Sequence, residues 1–352
     1  MEKNNEYLGL LQNMIRIPSF SGEEGEVAGL IASFLGARNV EFICKGFNIW
    51  AYNRHFDPSK PTILLNSHLD TVRPNSGYNR DPFLPEIKGG KLYGLGSTDA
   101  GASVVSLLAA FLHFYDREKM AYNLCIALTA EEERSGTGGI ESVWKDLGPI
   151  DFALVGEPTE MQLAVAEKGL MVVDCVAQGE SGHAARREGT NAIYRAVKDI
   201  EWFENYRFPR VSELLGEVGM AVTIINGGTQ HNVVPAECTF TADIRITEQY
   251  THEEVLAAIR KNVRSTVTPR SMRLRSSSIP ADHPIVLAGK KLGLKAFGSP
   301  TMSDQALMPV PSLKIGPGRS ERSHTADEYV HLSEIEKGID VYIRLLNLVL
   351  AK

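Results

Sequence analysis

The 352-residue chain is 43% hydrophobic, enough for a large core, and chains of this length usually fold as two domains. Its formal net charge of −6 and its pI of about 5.9 exclude a global basic field that would attract nucleic acid or anionic membranes. No stretch reaches the roughly 18 apolar residues that a membrane span needs, and the polar, acidic residues 1–7 do not resemble a secretory signal.

The four cysteines are far apart in the sequence and lie in apolar, strand-like surroundings. They are Cys44, Cys125, Cys175 and Cys238. Because no CxxC or Cys/His spacing occurs, both a zinc finger and a disulfide framework are excluded. We expect all four to be reduced thiols in the core of a cytoplasmic protein.

Predicted strands and helices alternate in the N-terminal part of the chain. The pattern from Ser21 to Glu24 predicts a capping box before a helix over residues 27–35. Short apolar runs predict buried strands over residues 62–65, 124–129 and 152–155, with a helix over residues 102–115 after the first strand. This alternation predicts a doubly wound α/β fold with a mostly parallel sheet.

The pattern changes after about residue 162. Residues 165–178, 220–226 and 238–247 are predicted strands, and residues 191–206 and 253–263 are predicted helices. Their β-α-β-β-α order predicts a small α+β domain over residues 165–282. It would be inserted into a catalytic domain formed by residues 1–164 and 283–352, to which predicted helices over residues 285–292 and 332–350 belong.

Five short polar islands supply candidate metal ligands. They contain His68 with Asp70, then Asp99, then the run Glu131, Glu132 and Glu133, then Glu157, and finally His324. Several islands follow predicted strands, and in doubly wound sheets ligands collect at the carboxyl ends of strands. Imidazoles and carboxylates are ligands that zinc prefers, and one bridging carboxylate would allow two metals for hydrolysis.

Each island also has an ordinary structural interpretation. Asp99 could be a helix N-cap, Glu157 a turn residue before a proline, and His324 an exposed loop histidine. The glycines before Asp99 resemble a phosphate-binding loop, but no Lys-Ser/Thr pair follows them. The triple glutamate is harder to explain without a cation, because three adjacent carboxylates at the end of a buried strand repel one another.

In their order, the motifs resemble those of the di-zinc deacylase and exopeptidase family. That family includes acetylornithine deacetylase, succinyl-diaminopimelate desuccinylase, carboxypeptidase G and the aminoacylases. The similar segments cover nearly the whole chain. They are SHLDTV at residues 67–72, GLGSTD at 94–99, TAEEE at 129–133, GEPT at 156–159, GHA at 182–184, GGTQHNVVP at 227–235 and SHT at 323–325.

This resemblance implies two Zn²⁺ ions per subunit, with Co²⁺ as a substitute. One ion would be held by His68, Asp99 and Glu157, and the other by Asp99, Glu133 and His324, so that Asp99 bridges. Asp70 would support the site from outside the ligand set, and Glu132 would be the general base.

Two departures from the family pattern bear on this assignment. The family usually has Asp-Glu-Glu where this chain has three glutamates, so a shift by one would make Glu131 the base and Glu132 the ligand. We favour the register in which Glu132 is the base. The family often has Asp-Met-Lys-Gly where this chain has Asp99-Ala100-Gly101-Ala102, which affects the subfamily rather than the ligand set.

The inserted domain resembles the family's lid and dimerisation domain. His183 corresponds to a lid histidine that polarises the scissile carbonyl across a dimer, and Asn232 and Arg245 correspond to substrate-binding positions. A guanidinium suits a substrate carboxylate, although Arg245 could instead be a surface strand arginine.

The implied reaction is hydrolysis of an N-acyl amino acid by a cytoplasmic homodimer without nucleic-acid or membrane partners. N-acetyl- or N-succinyl-ornithine, -citrulline or -lysine is the expected substrate, in arginine or lysine biosynthesis. The alternatives are a succinyl-diaminopimelate desuccinylase and a dipeptidase or aminopeptidase. A metal- or ligand-binding protein without catalysis is a further alternative, which the presence of Glu132 disfavours.

Overall fold

The computed structural model describes residues 5–351, which form two compact units. The first unit comprises Met1–Val165, Ser278–Phe297 and Ser303–Lys352. The second comprises Ala166–Ser277 and Gly298–Met302. The lid and catalytic roles of the two predicted domains stay predictions.

Eight α-helices and eighteen strands are assigned within the described residues. The helices are α1 (Asn5–Ile15), α2 (Gly25–Gly36), α3 (Ala102–Phe114), α4 (Ile140–Val143), α5 (Ala192–Asn205), α6 (His252–Asn262), α7 (Pro284–Lys291) and α8 (Leu332–Leu350). The strands are β1 (Ile43–Lys45), β2 (Asn48–Tyr52), β3 (Thr62–His68), β4 (Glu86–Lys88), β5 (Lys91–Tyr93), β6 (Asn123–Thr129), β7 (Phe152–Val155), β8 (Leu163–Glu167), β9 (Gly169–Gln178), β10 (Gly182–His183), β11 (Gly219–Gly227), β12 (Val233–Val234), β13 (Glu237–Ile246), β14 (Thr266–Pro269), β15 (Ser277–Ser278), β16 (Ala296–Ser299), β17 (Ser312–Lys314) and β18 (Tyr329–His331).

A central sheet organises the first unit, and seven of its nine strands follow the order β1-β2-β6-β3-β7-β17-β8. The four central strands β6, β3, β7 and β17 are mutually parallel, whereas β1, β2 and β8 join antiparallel. Parallel pairing requires crossover connections, and α3 provides one between β3 and β6. The predicted α/β fold class is therefore confirmed.

Side chains on the two faces of this sheet enter two different hydrophobic layers. In β3, Ile63 and Leu65 point to the layer that contains α1, α2, α3 and α8, whereas Leu64 points to the layer that contains α4. This alternation follows from the two-residue period of a strand. Because both faces are covered, β3, β6 and β7 are buried along their whole length.

The segment Ser97–Phe114 is long and apolar enough to cross a membrane by composition alone. The expectation that no stretch is long and apolar enough to span a membrane is therefore wrong by length and composition. In the structure 83% of the segment is buried inside the protein, as is usual for a core helix. Its apolar character is explained by α3 packing against β3 and α8.

The second unit contains a four-stranded antiparallel sheet in the order β11-β13-β9-β14. Alternate residues of β9 are buried beneath α5 and α6, which cover one face of this sheet. A single strand was predicted over residues 165–178, but the structure has two, β8 and β9, separated at Lys168.

The predicted capping box before α2 does not form. Glu24 occupies the N-cap position without a side-chain cap bond. The Ser21 hydroxyl instead donates to Asp70 Oδ2 at 2.6 Å, and Glu24 Oε1 accepts from the backbone N–H groups of Gly22 and Glu131. Each side chain therefore has a long-range partner, Asp70 for Ser21 and the Glu131 N–H for Glu24, in place of the capping box.

Three of the four cysteines lie in the core, as predicted. Cys125, Cys175 and Cys238 are buried free thiols. Cys44 is exposed on the edge strand β1, so its predicted burial is wrong. Its strand has no neighbour on the outer side among the described residues, which leaves its side chains open to solvent.

Candidate metal centre

Three of the predicted islands follow adjacent parallel strands at the same edge of the central sheet. His68 is the last residue of β3, the triple glutamate begins two residues after β6, and Glu157 lies two residues after β7. Because β6, β3 and β7 run parallel, their carboxyl ends meet at one edge. Sheet topology thus brings together residues that are far apart in the sequence.

The His68 imidazole is held so that one nitrogen faces several carboxylates. Its Nδ1 lies 2.9 Å from the backbone carbonyl oxygen of Asp70. Its Nε2 lies 3.1 Å from Asp99 Oδ1, 3.7 Å from Glu157 Oε1 and 4.0 Å from Glu132 Oε2. The backbone contact fixes the ring orientation and leaves Nε2 as the atom directed into the cluster.

Asp99 lies between the two imidazoles. Its Oδ1 faces His68, and its Oδ2 lies 3.7 Å from His324 Nε2. His324 Nε2 also contacts Glu133 Oε2 at 2.9 Å. The two oxygens of one carboxylate therefore point to different histidines, which is the arrangement that a bridging ligand requires.

Asp99 does not cap the following helix. It belongs to the short helical turn Ser97–Gly101, which precedes α3, and its φ of −115° and ψ of 98° are not helical. Gly101 occupies the N-cap position of α3, without a side-chain cap bond. The N-cap interpretation of Asp99 is therefore wrong.

Asp70 supports the cluster from behind. Its Oδ1 accepts the backbone N–H of Glu132 and its Oδ2 accepts that of Glu133, each at 3.0 Å. Ser21 donates a third hydrogen bond, and the Oδ1 atom lies 3.4 Å from His68 Nδ1. A single buried carboxylate thereby connects the end of β3 to the loop after β6.

Glu131 points away from the cluster. One of its carboxylate oxygens accepts from the backbone N–H of Gly138 at 3.0 Å, and the other accepts from Arg134 at 2.6 Å. Its backbone has a positive φ of 58°. The reversal of the chain at this residue leaves Glu132 and Glu133, but not Glu131, among the converging side chains.

Burial and like charges raise the pKa of three glutamates in the metal-free protein. Burial, with the nearby charges of Glu157 and Asp304, raises the pKa of Glu132 well above its usual range, although the charge of His68 opposes this. Burial and the charge of Asp99 raise the pKa of Glu157 to about 8. Burial likewise raises the pKa of Glu133, although the hydrogen bond from His324 opposes it.

The pKa values of both imidazoles are also raised, by the negative charges around them. Burial tends to lower the pKa of His68, but hydrogen bonds to Asp70 and Asp99 and nearby negative charges raise it well above its usual range. The hydrogen bond to Glu133 raises the pKa of His324 to about 9. The metal-free cluster thus retains protons because its carboxylates need compensating positive charge.

The donor set fits divalent metal ions. Two groups of donors have ligand atoms that all lie within 4.8 Å of one another, namely His68 with Asp99 and Glu133, and His68 with Glu132 and Glu157. This grouping by distance differs from the predicted one, because it includes Glu132 and omits His324. All predicted ligands nevertheless lie in one continuous cluster of carboxylate and imidazole donors, which zinc prefers.

Buried acids around this cluster were missing from the sequence-based prediction. Glu328 accepts backbone N–H groups of the Asp99 turn, and burial and the charge of Asp99 raise its pKa to about 8. Asp304 accepts from Thr129 at 2.8 Å, and burial raises its pKa to about 6. In the sequence, the only indication that Glu328 belongs to the site is its position four residues after His324. No comparable feature indicates Asp304.

The three site residues predicted in the second unit are exposed or partly exposed at its surface. His183 is exposed in β10, and its Nδ1 accepts from the backbone N–H of Ala185 at 3.2 Å. Asn232 is exposed, and its backbone carbonyl accepts from Ala184. Arg245 in β13 pairs with Asp243 through Nε at 2.7 Å and one terminal nitrogen at 3.0 Å.

An α/β sheet with an imidazole–carboxylate cluster at the carboxyl ends of its strands is typical of a metal-dependent hydrolase. Sequence comparison identifies the family. The profile of peptidase family M20/M25/M40 matches residues 64–348, and the chain belongs to this family.

Several curated relatives are similar over most of their length. The chain is 30% identical to an acetylornithine deacetylase of Proteus mirabilis over 78% of this chain and 76% of the relative. It is 26% identical to succinyl-diaminopimelate desuccinylase 2 of a Ruegeria species over 96% and 93% of the two chains. A probable carboxypeptidase of Ajellomyces capsulatus is 27% identical over 97% and 85%.

Solved structures share the fold at lower identity. Aminopeptidase PepT from Bacillus cereus superposes with a TM-score of 0.80 at 19% identity, covering 98% of each chain. The YXEP protein of Bacillus subtilis, described as a dinuclear metal-binding peptidase of the M20 family, gives a TM-score of 0.76 at 14% identity, covering 99% of this chain and 98% of that one. The chain is thus a hydrolase of this family with its characteristic α/β fold.

Proposed function

We propose that this protein is a two-metal amidohydrolase that releases the acyl group of an N-acyl amino acid. The position of Asp99, with one oxygen toward His68 and the other toward His324, is the observation that carries the proposal. His68, Asp99 and Glu157 would hold one Zn²⁺, and Asp99, Glu133 and His324 the other. Co²⁺ would substitute, because it accepts the same nitrogen and oxygen donors.

Two cations bound there would lower the pKa of water and polarise the scissile carbonyl. Glu132 is the proposed general base, which accepts a proton from the attacking water and delivers it to the leaving amine. Its carboxylate, which is only partly exposed, lies beside His68 and Glu157, whereas the Glu131 carboxylate accepts from Gly138 and Arg134. These contacts support the register in which Glu132 is the base and Glu133 the ligand.

The second unit is the proposed lid, and His183 the proposed donor to the carbonyl oxygen. Its Nδ1 accepts a backbone hydrogen bond, which leaves Nε2 as the nitrogen that would carry the donated proton. A donor directed at the developing oxyanion stabilises the transition state more than the substrate. Asn232, in the turn that precedes β12, is proposed to bind the substrate.

Arg245 is the proposed partner of the substrate carboxylate. Asp243 occupies two of its five N–H donors, so three donors remain. The remaining donors can bond a carboxylate without the loss of the Asp243 pair. The same contacts also fit the alternative that Arg245 is a surface strand arginine. An Arg245→Lys variant would separate the two roles, because it raises the KM of the substrate only if Arg245 binds the substrate carboxylate.

The proposed substrate is N-acetyl-ornithine or a close analogue, with a role in arginine biosynthesis. The similarity to an acetylornithine deacetylase supports it, and the similarity to a desuccinylase supports the succinyl alternative equally. A dipeptidase or aminopeptidase is the second candidate, because the same chemistry cleaves a peptide bond and relatives include a probable carboxypeptidase.

One substrate panel separates these candidates. The purified protein, supplied with Zn²⁺ or Co²⁺, would be incubated with N-acetyl-ornithine, N-succinyl-ornithine, N-succinyl-diaminopimelate and an unblocked dipeptide. Release of the free amine would be measured by derivatisation and chromatography. Ornithine release supports the proposal, whereas cleavage of only the dipeptide, or of only the diaminopimelate derivative, assigns the corresponding alternative.

We further propose that the protein is a homodimer that pairs through the second unit. Strand β11 is at the edge of its sheet among the described residues, and its Ile224 and Ile225 are 50% and 51% exposed. The adjacent α5 exposes Tyr194 and Val197, which lie three residues apart on one helix face. An apolar edge strand invites pairing with a second chain.

The cytoplasm is the proposed location. The four cysteines are free in the described structure, and one of them, Cys44, is exposed. An exposed free thiol is more compatible with a reducing compartment than with an oxidising one.

A further inference from the structure

Glu328 is a buried carboxylate immediately before β18 that contacts the Asp99 turn. Its Oε1 accepts the backbone N–H of Thr98 at 2.7 Å and that of Asp99 at 3.0 Å. Its Oε2 accepts the backbone N–H of Gly96 at 3.0 Å. Only 2% of the residue is exposed, so its polar atoms depend on partners within the protein.

The main chain around Glu328 strengthens the same connection. The backbone N–H of Gly94 donates to the Glu328 carbonyl, and the Thr98 hydroxyl donates to the Tyr329 carbonyl at 2.6 Å. Strand β18 also pairs with β5, which leads into the turn. The turn that carries Asp99 is therefore held from several directions by the segment that follows His324.

We propose that Glu328 is a positioning residue for Asp99, and that it keeps the two Asp99 oxygens directed toward both histidines. The inference rests on the proposed two-metal function. Without Glu328, three buried N–H groups would lose their acceptor, and the turn would have to rotate to find others. Because Asp99 is shared, such a rotation would weaken both metal sites together rather than one of them.

Two variants test this role. Glu328→Gln keeps the side-chain shape but places an amide NH₂ group opposite a backbone N–H donor. Glu328→Asp keeps the charge and draws the carboxylate back by about one methylene. Glu321→Gln is the matched control, because it removes the same charge from an exposed residue seven positions earlier.

Metal content would be measured by mass spectrometry, and the two dissociation constants for Zn²⁺ by competition with a chromophoric chelator. Removal of a partner that orients a ligand typically weakens metal binding about 10- to 100-fold. We expect Glu328→Gln to raise both dissociation constants by this factor, Glu328→Asp to raise both less, and Glu321→Gln to match the wild type. Saturating Zn²⁺ should restore kcat in Glu328→Gln with an unchanged KM.

The alternative outcomes are distinct. Wild-type constants in Glu328→Gln, with only a lower melting temperature of the metal-free protein, would reduce Glu328 to a structural residue and overturn the inference. The inference is equally overturned if one constant changes and the other does not. If Glu328→Gln does not fold, wild-type constants in Glu328→Asp overturn it. A wild-type protein that binds no Zn²⁺ contradicts the proposed function itself.

Discussion

His68 and Asp99 are separated by 31 residues in the chain, yet His68 Nε2 lies 3.1 Å from Asp99 Oδ1. The other side of that imidazole contacts the backbone carbonyl of Asp70. One ring thus connects the end of β3 with the turn that precedes α3, and its orientation depends on both contacts.

Replacement of Glu132 by glutamine should abolish most of the turnover while two metals remain bound. Loss of a general base lowers kcat by about 10²- to 10⁴-fold, and glutamine cannot accept the proton. Steady-state kinetics together with metal analysis would test this. Glu131→Gln is the control and should remain active, since its carboxylate contacts Gly138 and Arg134. An inactive Glu131→Gln beside a Glu132→Gln that loses metal, and whose rate returns when excess Zn²⁺ is supplied, would reverse the register.

Asp70→Ala should weaken metal binding about 10- to 100-fold, because the variant removes the acceptor of the Glu132 and Glu133 N–H groups and the carboxylate beside His68. Ser21→Ala removes only one donor to Asp70 and should have a smaller effect in the same direction. Titration of each metal-free variant with Zn²⁺ would measure both. Equal effects of the two substitutions would contradict the supporting role of Asp70.

His183→Ala should lower kcat about 10²- to 10³-fold, the usual effect of removing one oxyanion donor, with the metal content unchanged. His231→Ala is the matched control, because this residue is also an exposed histidine of the second unit. Kinetics with N-acetyl-ornithine, or with whichever substrate the panel identifies, would compare the two. Equal rates for His183→Ala and the wild type would remove His183 from the mechanism.

The metal-free protein should become less stable as the pH rises from about 5 to about 9. The pKa of Glu157 is raised from 4.5 to about 8 and that of His324 from 6.5 to about 9, so the folded protein binds more protons than the unfolded chain in this window. Groups with a raised folded-state pKa contribute stability that is lost as the pH rises through it. Thermal unfolding in the presence of a chelator would measure this trend. Added Zn²⁺ should reverse it, and a metal-free protein that gains stability toward pH 9 would contradict it.

Ile225→Asp should shift the protein from dimer to monomer, because a charge on an edge strand opposes pairing with another chain. Light scattering after size-exclusion chromatography would determine the mass. The control is Leu348→Asp, which introduces the same charge in place of a large hydrophobic residue of the first unit. Leu348 is 45% exposed. A wild-type monomer would exclude the proposed interface, and so would a dimer that survives Ile225→Asp.

Local sequence patterns were sufficient to predict individual strands and helices of the first unit. The apolar run of residues 152–155 coincides with β7, and the last predicted helix coincides with α8. Parallel strands then bring their carboxyl ends together, so His68, Glu132 and Glu157 were expected at one edge. The predicted ligands do converge there, although their roles remain proposals.

The support of the site depended on long-range pairing that no local pattern carries. Ser21 and Glu24 match a capping box, but in the structure they contact Asp70 and Glu131 instead. Glu328 reaches a turn 229 residues away, and a single acidic residue in a loop is too common to indicate such a contact. The register of the triple glutamate likewise depends on the backbone reversal at Glu131.

The hydrogen bond from Ser21 to Asp70 has a practical consequence for where the functional protein begins. The family match covers residues 64–348, whereas Ser21 and Glu24 contact the cluster from outside that segment. A shortened protein that starts at residue 64 would keep every proposed ligand and the proposed base. It would nevertheless leave Asp70 and the Glu131 N–H without these partners. The smallest unit able to assemble this site with these contacts therefore includes the loop between α1 and α2.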